Sequence, residues 1–211
     1  MAADHPEQRR PRGPGPIIDA LSRVLPPRQV VTDRLEAHFA EPWQQMLEGH
    51  PTLQRDLLEF RQMLESQAAA LAAERATDVD IASLDAAHAL LEAQYEADRM
   101  PACIAADVAF HQAVAEASHN VMIGQLTASL MRVIHGHVAR NLEHLHARPT
   151  RWAQLRAQHR AIWLAIRERR ADEAAAAARG HIEFVRQSMD DNALAEARRS
   201  VALRRLGEPV G

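Results

Sequence analysis

Asp107-Val108-Ala109-Phe110-His111, continued by Gln112-Ala113-Val114-Ala115-Glu116-Ala117-Ser118-His119-Asn120, is the stretch around which the chain is organised. An acid and an imidazole four residues apart stand one above the other on a single helix face. Val108, Phe110, Val114 and Ala115 surround them, and a charged pair placed among apolar side chains needs a compensating partner. Two further histidines, His159 and His181, fall in later segments that also read as helices. Three imidazoles and one carboxylate supply donors suited to a divalent metal. The remaining segments then read as the scaffold that brings these groups together.

Working outward, the composition agrees with a helical scaffold. The chain has 211 residues, enough for one sizeable core, only 8 glycines and 4% aromatics. Abundant alanine and straight-chain residues favour helix, and no segment alternates apolar and polar residues long enough to argue for a strand. The predicted fold is all-α, an antiparallel bundle of six to eight helices joined by short connections.

A formal net charge of -3 gives no overall electrostatic footprint for nucleic acid. Every basic residue is arginine, a bias that base composition of the coding DNA accounts for. Cys103 stands alone, which excludes an internal disulfide or a thiolate cluster and suits a reducing compartment. Without a long apolar run or a signal-peptide h-region, the expectation is a cytoplasmic protein with no membrane partner.

Residues 1–31 read as a flexible arm, broken by Pro6, Pro11, Pro14, Pro16, Pro26 and Pro27, with room for one short helix over 16–25. The helical domain is expected over 32–211. Thr32 or Asp33 caps a segment carrying Leu35, Phe39, Trp43 and Leu47 that Gly49 ends. The next runs from Leu53 to about Arg75, and Thr77-Asp78-Val79-Asp80 opens another. Pro101 starts the helix bearing Asp107 and His111, and Asn120 breaks it. A long helix spans Val121 to about His146. One from near Thr150 carries His159, one from Ala171 carries His181, and a last amphipathic stretch holds Leu194, Val201, Leu203 and Leu206.

Taken singly, each of the 12 histidines is weak evidence for a ligand. His135, His137, His144 and His146 are expected at solvated positions, because i,i+2 spacing turns paired residues to different faces. His159 and His181 share phase with apolar neighbours and are expected inside. The donor set Asp107, His111, His159 and His181 would suit zinc first, or nickel, manganese or iron, with positions left for water. An interior Asp–His hydrogen-bonded network without metal fits the periodicity equally, and both readings stand at this point. A hydrolytic metal would also need a placed base; Glu116, five residues past His111, should be turned away from it.

These motifs resemble a known family, the C-terminal effector-binding (FCD) domain of FadR-branch GntR-type transcription regulators. Asp56-Leu57-Leu58-Glu59-Phe60-Arg61-Gln62-Met63-Leu64-Glu65 looks like the opening helix, and Ala72-Ala73-Glu74-Arg75-Ala76-Thr77-Asp78 follows. Asp107 to His111 with Ala117-Ser118-His119-Asn120 looks like the signature, completed by Gln158-His159-Arg160-Ala161-Ile162 and Gly180-His181. The wording is closest to members that respond to lactate, glycolate or pyruvate. The resemblance implies a metal held by Asp107, His111, His159 and His181, and a small carboxylate effector bound beside it through Arg61, with Asn120 in the same role. It also implies a homodimer that is not an enzyme. A helix ion pair with Glu65 is the alternative for Arg61, since the i,i+4 spacing suits it.

One departure bears on function. No Arg-Glu-Leu-Ala helix, Ser-Arg recognition-helix start or Gly-rich wing precedes the bundle, so DNA would be reached only through a winged helix not evident in these residues. The expected function is therefore effector sensing for a transcription regulator. The alternatives are a metal-dependent hydrolase on a helical bundle, and a non-catalytic helical interaction module using the arginine-rich C-terminal helix.

Overall fold

The computed structural model describes residues 50–97 and 99–205. Among them the chain forms six α-helices and no strand: α1 (Pro51–Arg75), α2 (Asp78–Ala97), α3 (Met100–Ala117), α4 (Val121–His146), α5 (Pro149–Arg167) and α6 (Ala171–Arg205). The expected arm over 1–31 and the helix from Thr32 to Gly49 lie outside the described residues.

Local chemistry sets the helix starts. Pro sits at the first positions of α1, α3 and α5, where its missing N–H removes no helical hydrogen bond. Thr77 and Asp80 make a reciprocal cap for α2: Thr77 N–H and Oγ1–H both donate to Asp80 Oδ2 (2.7 and 2.6 Å), and Asp80 N–H donates to Thr77 Oγ1 (3.3 Å). Asn120 caps α4, its Oδ1 accepting from Met122 N–H (3.0 Å) and Ile123 N–H (3.3 Å). His119, at φ 51°, makes the left-handed step that ends α3.

Packing departs from simple succession. Short connections predict antiparallel neighbours, yet α1 and α2, joined by residues 76–77, do not pack side by side. Ala76 is extended (φ −52°, ψ 134°) and turns the chain away. Helix α1 instead lies against α6 and α3, while α2 packs on α3 and α5. Ala68, Ala69, Ala72 and Ala73 are all buried on the inner face of α1, and their small side chains allow its partners close approach. Phe110, Leu84, Leu91, Leu155, Ile166 and Ile182 fill the centre. Helix α3 is thereby covered by α1, α2 and α4.

The expected break before the last amphipathic stretch is absent. Helix α6 runs unbroken for 35 residues through Asp190-Asp191-Asn192. Polar residues do not end a helix unless a Pro or a left-handed residue accompanies them, and neither occurs here. Gly180 lies inside α6 with open space where a side chain would be. No helix of the described residues is long and apolar enough to cross a membrane.

The α2 cap also anchors the α3–α4 turn, since His119 Nε2 lies 2.7 Å from Asp80 Oδ2. Partial burial works against ionising Asp80, but the hydrogen bonds of Thr77 and His119 outweigh it and lower its pKa to about 2. The folded pKa is thus below the unfolded one, so this stabilisation is present above about pH 4 and lost as pH falls towards 2. Asp80→Asn should lower the thermal midpoint at neutral pH. The gap to wild type should close between about pH 4 and 2, as followed by circular dichroism.

Candidate metal centre

Helix α3 presents Asp107 and His111 inward on one face, as their spacing requires. His159 arrives from α5 and His181 from α6, and all four are buried, His159 completely. The ligand atoms of the three histidines lie within 4.8 Å of one another. His159 Nε2 is 3.3 Å from His111 Nε2 and 3.3 Å from Asp107 Oδ1, and Asp107 Oδ2 is 4.0 Å from His111 Nε2. The structure therefore brings the four groups together, with Asp107 against two of the imidazoles.

Each ring is held from behind through Nδ1. His111 Nδ1–H donates to Glu65 Oε2 (2.9 Å). His159 Nδ1 pairs with the Tyr95 hydroxyl (2.7 Å), and His181 Nδ1 with Gln158 Oε1 (3.3 Å). Such outer partners fix ring orientation and tautomer and leave Nε2 facing inward. Burial drives the pKa values of His159 and His181 well below normal, and the neighbouring imidazoles add to this, so both rings are neutral donors at pH 7. Burial raises the pKa of Asp107. For His111 burial acts downward, but the Glu65 carboxylate overcomes it and the pKa rises.

The donor spacing has a chemical meaning. Two donors bound at about 2.0–2.1 Å to a tetrahedral ion stand roughly 3.3–3.4 Å apart. The His111–His159 and His159–Asp107 separations, both 3.3 Å, match that edge. A proton on His111 Nε2 would close the same gap as a hydrogen bond, and without proton or cation two lone pairs would face each other in an apolar interior.

Glu65, Tyr95 and Gln158 are the supporting residues that the sequence reading missed as partners. Tyr95 continues the Leu84, His88, Leu91 stripe of α2, so its inward direction was legible although its partner was not. Arg61 makes the helix ion pair expected as its alternative. Its Nε donates to Glu65 Oε1 (2.6 Å), and the side chain, 4% exposed, also lines a cavity of about 30 Å³. Arg61, Asp107, His181, Gln54 and Asn141 are its polar lining, and Leu57, Ile134 and Val138 are among its apolar lining. At about 10–15 Å³ for each enclosed water, the space suits a molecule of only a few heavy atoms.

Asn120 is a correction to the expected effector set. Its carbonyl is engaged by two backbone N–H groups at the start of α4, and it does not line the cavity. Glu116 is exposed and accepts from Gln112 Nε2 (3.1 Å), so it offers no base to the centre. His144 and His146 are half-buried rather than solvated, and His146 meets Trp152 edge-on at 5.0 Å.

An all-helical bundle enclosing an imidazole cluster beside an arginine-lined cavity has the form of a ligand-sensing domain. Residues 56–184 match the FCD domain, and the chain belongs to that family, the effector-binding domain of FadR-branch GntR-type regulators. It is 32% identical over 154 residues to an Escherichia coli K12 protein named for regulating the L-lactate dehydrogenase operon, covering 73% of this chain and 58% of that protein. It is 31% identical over 139 residues to the Glc operon transcriptional activator of the same strain, covering 64% and 55%. The matches thus span little more than half the length of these relatives. The E. coli McbR/YncC structure shares the fold, with a TM-score of 0.56 and 18% identity over 67% of this chain and 64% of that one.

The Glu65 carboxylate is held well below its usual pKa because Arg61 and His111 outweigh the upward effect of burial. Breaking a buried pair by neutralising one member costs about 3–5 kcal/mol. Glu65→Gln should therefore destabilise the protein by about that amount, measured by denaturant unfolding at pH 7, and a loss below about 1 kcal/mol, the range of an exposed pair, would contradict the buried bridge.

Proposed function

We propose that this chain is the effector-sensing part of a GntR-family transcriptional regulator, binding a divalent metal and a small organic acid. The observation that carries the reading is the convergence of three imidazoles whose Nδ1 atoms are all engaged by outer partners. His111, His159 and His181 would hold the metal with Asp107, and zinc suits this nitrogen-rich set best, ahead of nickel, manganese or iron. When bound, the metal supplies a Lewis-acidic position for an oxygen of the effector.

Arg61 supplies the second half of acid recognition. Its pairing with Glu65 through Nε leaves the terminal amino groups of the guanidinium for a carboxylate in the cavity. The cavity's small volume supports an acid of lactate, glycolate or pyruvate size, and the name of the lactate-operon relative favours the same class. The chain works as a homodimer in the cytoplasm, and DNA is reached through a winged-helix domain. Effector binding then favours one arrangement of sensor and DNA-binding parts, and so changes operator affinity. The relatives are named as regulators, which favours sensing over catalysis.

Two measurements test this. Purified protein should carry about one transition metal per chain by elemental analysis, and His159→Ala should lose it; wild-type protein that takes up no metal on reconstitution would remove the centre. With zinc present, lactate, glycolate or pyruvate should raise the thermal midpoint, since a ligand at about 100 times its Kd adds about 2.7 kcal/mol. Arg61→Met should abolish that increment and keep the metal. The increment is the reading that counts, because loss of the Glu65 partner lowers the basal midpoint of this variant.

A further inference from the structure

Two helices line the cavity beside Arg61 with residues at helical spacing. On α1, Gln54, Leu57, Leu58 and Arg61 recur at i, i+3, i+4 and i+7. On α4, Ile134, Val138, Asn141 and Leu142 follow the same kind of pattern. Asn141 is the polar member of that otherwise apolar stripe, and it is only 6% exposed. Its Oδ1 is buried and receives no hydrogen bond among the described residues. A buried carbonyl without a donor costs stability, and a leucine would fit the stripe without that cost.

The other polar residues of the lining are already engaged. Arg61 Nε donates to Glu65, His181 Nδ1 pairs with Gln158, and Asp107 Oδ1 lies 3.3 Å from His159 Nε2. Gln54 is likewise engaged. Asn141 Oδ1 is thus an acceptor available to a molecule inside the cavity, and a neutral one. A carboxylate at this place would repel an anionic guest, whereas an amide carbonyl accepts a hydrogen bond without opposing charge.

We infer that Asn141 determines specificity in this cavity: its Oδ1 accepts the hydroxyl hydrogen of a small 2-hydroxy acid and so selects such acids over 2-keto acids. The inference rests on the acid-binding reading and deepens it. Room for only a few heavy atoms keeps the hydroxyl on the carbon next to the carboxylate. A keto oxygen has no hydrogen to give, so a keto acid sets one carbonyl against another. Water meets the need of Oδ1 in the ligand-free protein. A ligand hydroxyl replaces that bond, while a keto group displaces the water without reproducing it. The carboxylate contributes nothing to the choice, since both kinds of acid carry it. With the amide turned over, Nδ2 would donate and the preference would invert, so the direction of selectivity reports which atom meets the ligand.

Titration calorimetry of the full chain with zinc present, using racemic lactate and pyruvate, tests this. Wild type should bind lactate at least about tenfold more tightly, the weight of one unmade hydrogen bond to a buried group. Asn141→Leu keeps the branched outline of the side chain and should lose that ratio, weakening lactate while leaving pyruvate within about twofold. Asn141→Ala, which adds no bulk, should do the same. Both variants should keep the zinc content of wild type. Ligand-free Asn141→Leu should melt at or above the wild-type temperature, because the carbonyl serves the ligand and not the fold. Melting of Asn141→Leu well below wild type overturns the inference. So does wild type that binds pyruvate as tightly as lactate or more so, or equal weakening of both acids in Asn141→Ala. Wild type that binds neither acid sinks the acid-binding reading itself, and this inference with it.

Discussion

The Glu65 carboxylate, held between the Arg61 guanidinium at 2.6 Å and the His111 imidazole at 2.9 Å, is the interaction on which the interior depends. All three groups are buried, and none of them could be there alone, because an unpaired charge in an apolar interior is costly. Together they tie α1 to α3 through a polar bridge inside a largely apolar core. One oxygen of Glu65 takes the arginine and the other takes His111 Nδ1. The same carboxylate therefore fixes the edge that Arg61 turns to the cavity and the edge that His111 turns to the other imidazoles.

That bridge explains the unusual path of α1. A helix packed beside its sequence neighbour α2 would have left Arg61 and Glu65 far from α6, which supplies His181. The extended Ala76 directs α2 onto α3 and α5 instead. Alanines along α1 let α6 and α3 come close on its inner side. Each helix that contributes a donor is also supported by one that contributes an outer partner: α3 by Glu65 of α1, and α5 by Tyr95 of α2. His181 is held by Gln158, the residue preceding His159 on α5. The centre is thus assembled from side chains whose rotamers are set by other helices, the requirement for a rigid site.

How much of this was legible follows from what periodicity encodes. Spacing and phase put Asp107 and His111 on one inward face and His159 and His181 inside, and all four are buried. Periodicity reports direction from a helix axis and nothing about which helix lies opposite. Glu65 therefore read as an ordinary i,i+4 partner of Arg61, and Tyr95 as core. The same limit applies to connections: two residues between α1 and α2 say how near their ends are, while the angle depends on the backbone of Ala76. Asn120 shows a competing use of one residue type. Beside a signature histidine it reads as a pocket amide, but at a helix start its carbonyl is claimed by backbone N–H groups. In α6 the run Asp190-Asp191-Asn192 has the polarity of a loop without a residue that stops a helix.

Continuity of α6 links the imidazole cluster to the exposed end of the same helix. The helix that presents His181 to the imidazole cluster is the one whose far end carries the Leu194–Val201 stripe, with no proline or left-handed residue between. A helix without such interruptions moves largely as a rod, because bending it requires breaking successive backbone hydrogen bonds. His181 lies about 25 Å from the centre of the stripe along the axis. A tilt of a few degrees about the packed first half would accordingly shift that centre by on the order of 1 Å, comparable to the interface shifts used in known switching transitions. Val185 and Met189, one and two turns past His181, line the cavity that Arg61 and Asp107 also line. An acid seated against Arg61 would thus meet the same rod through Val185 and Met189.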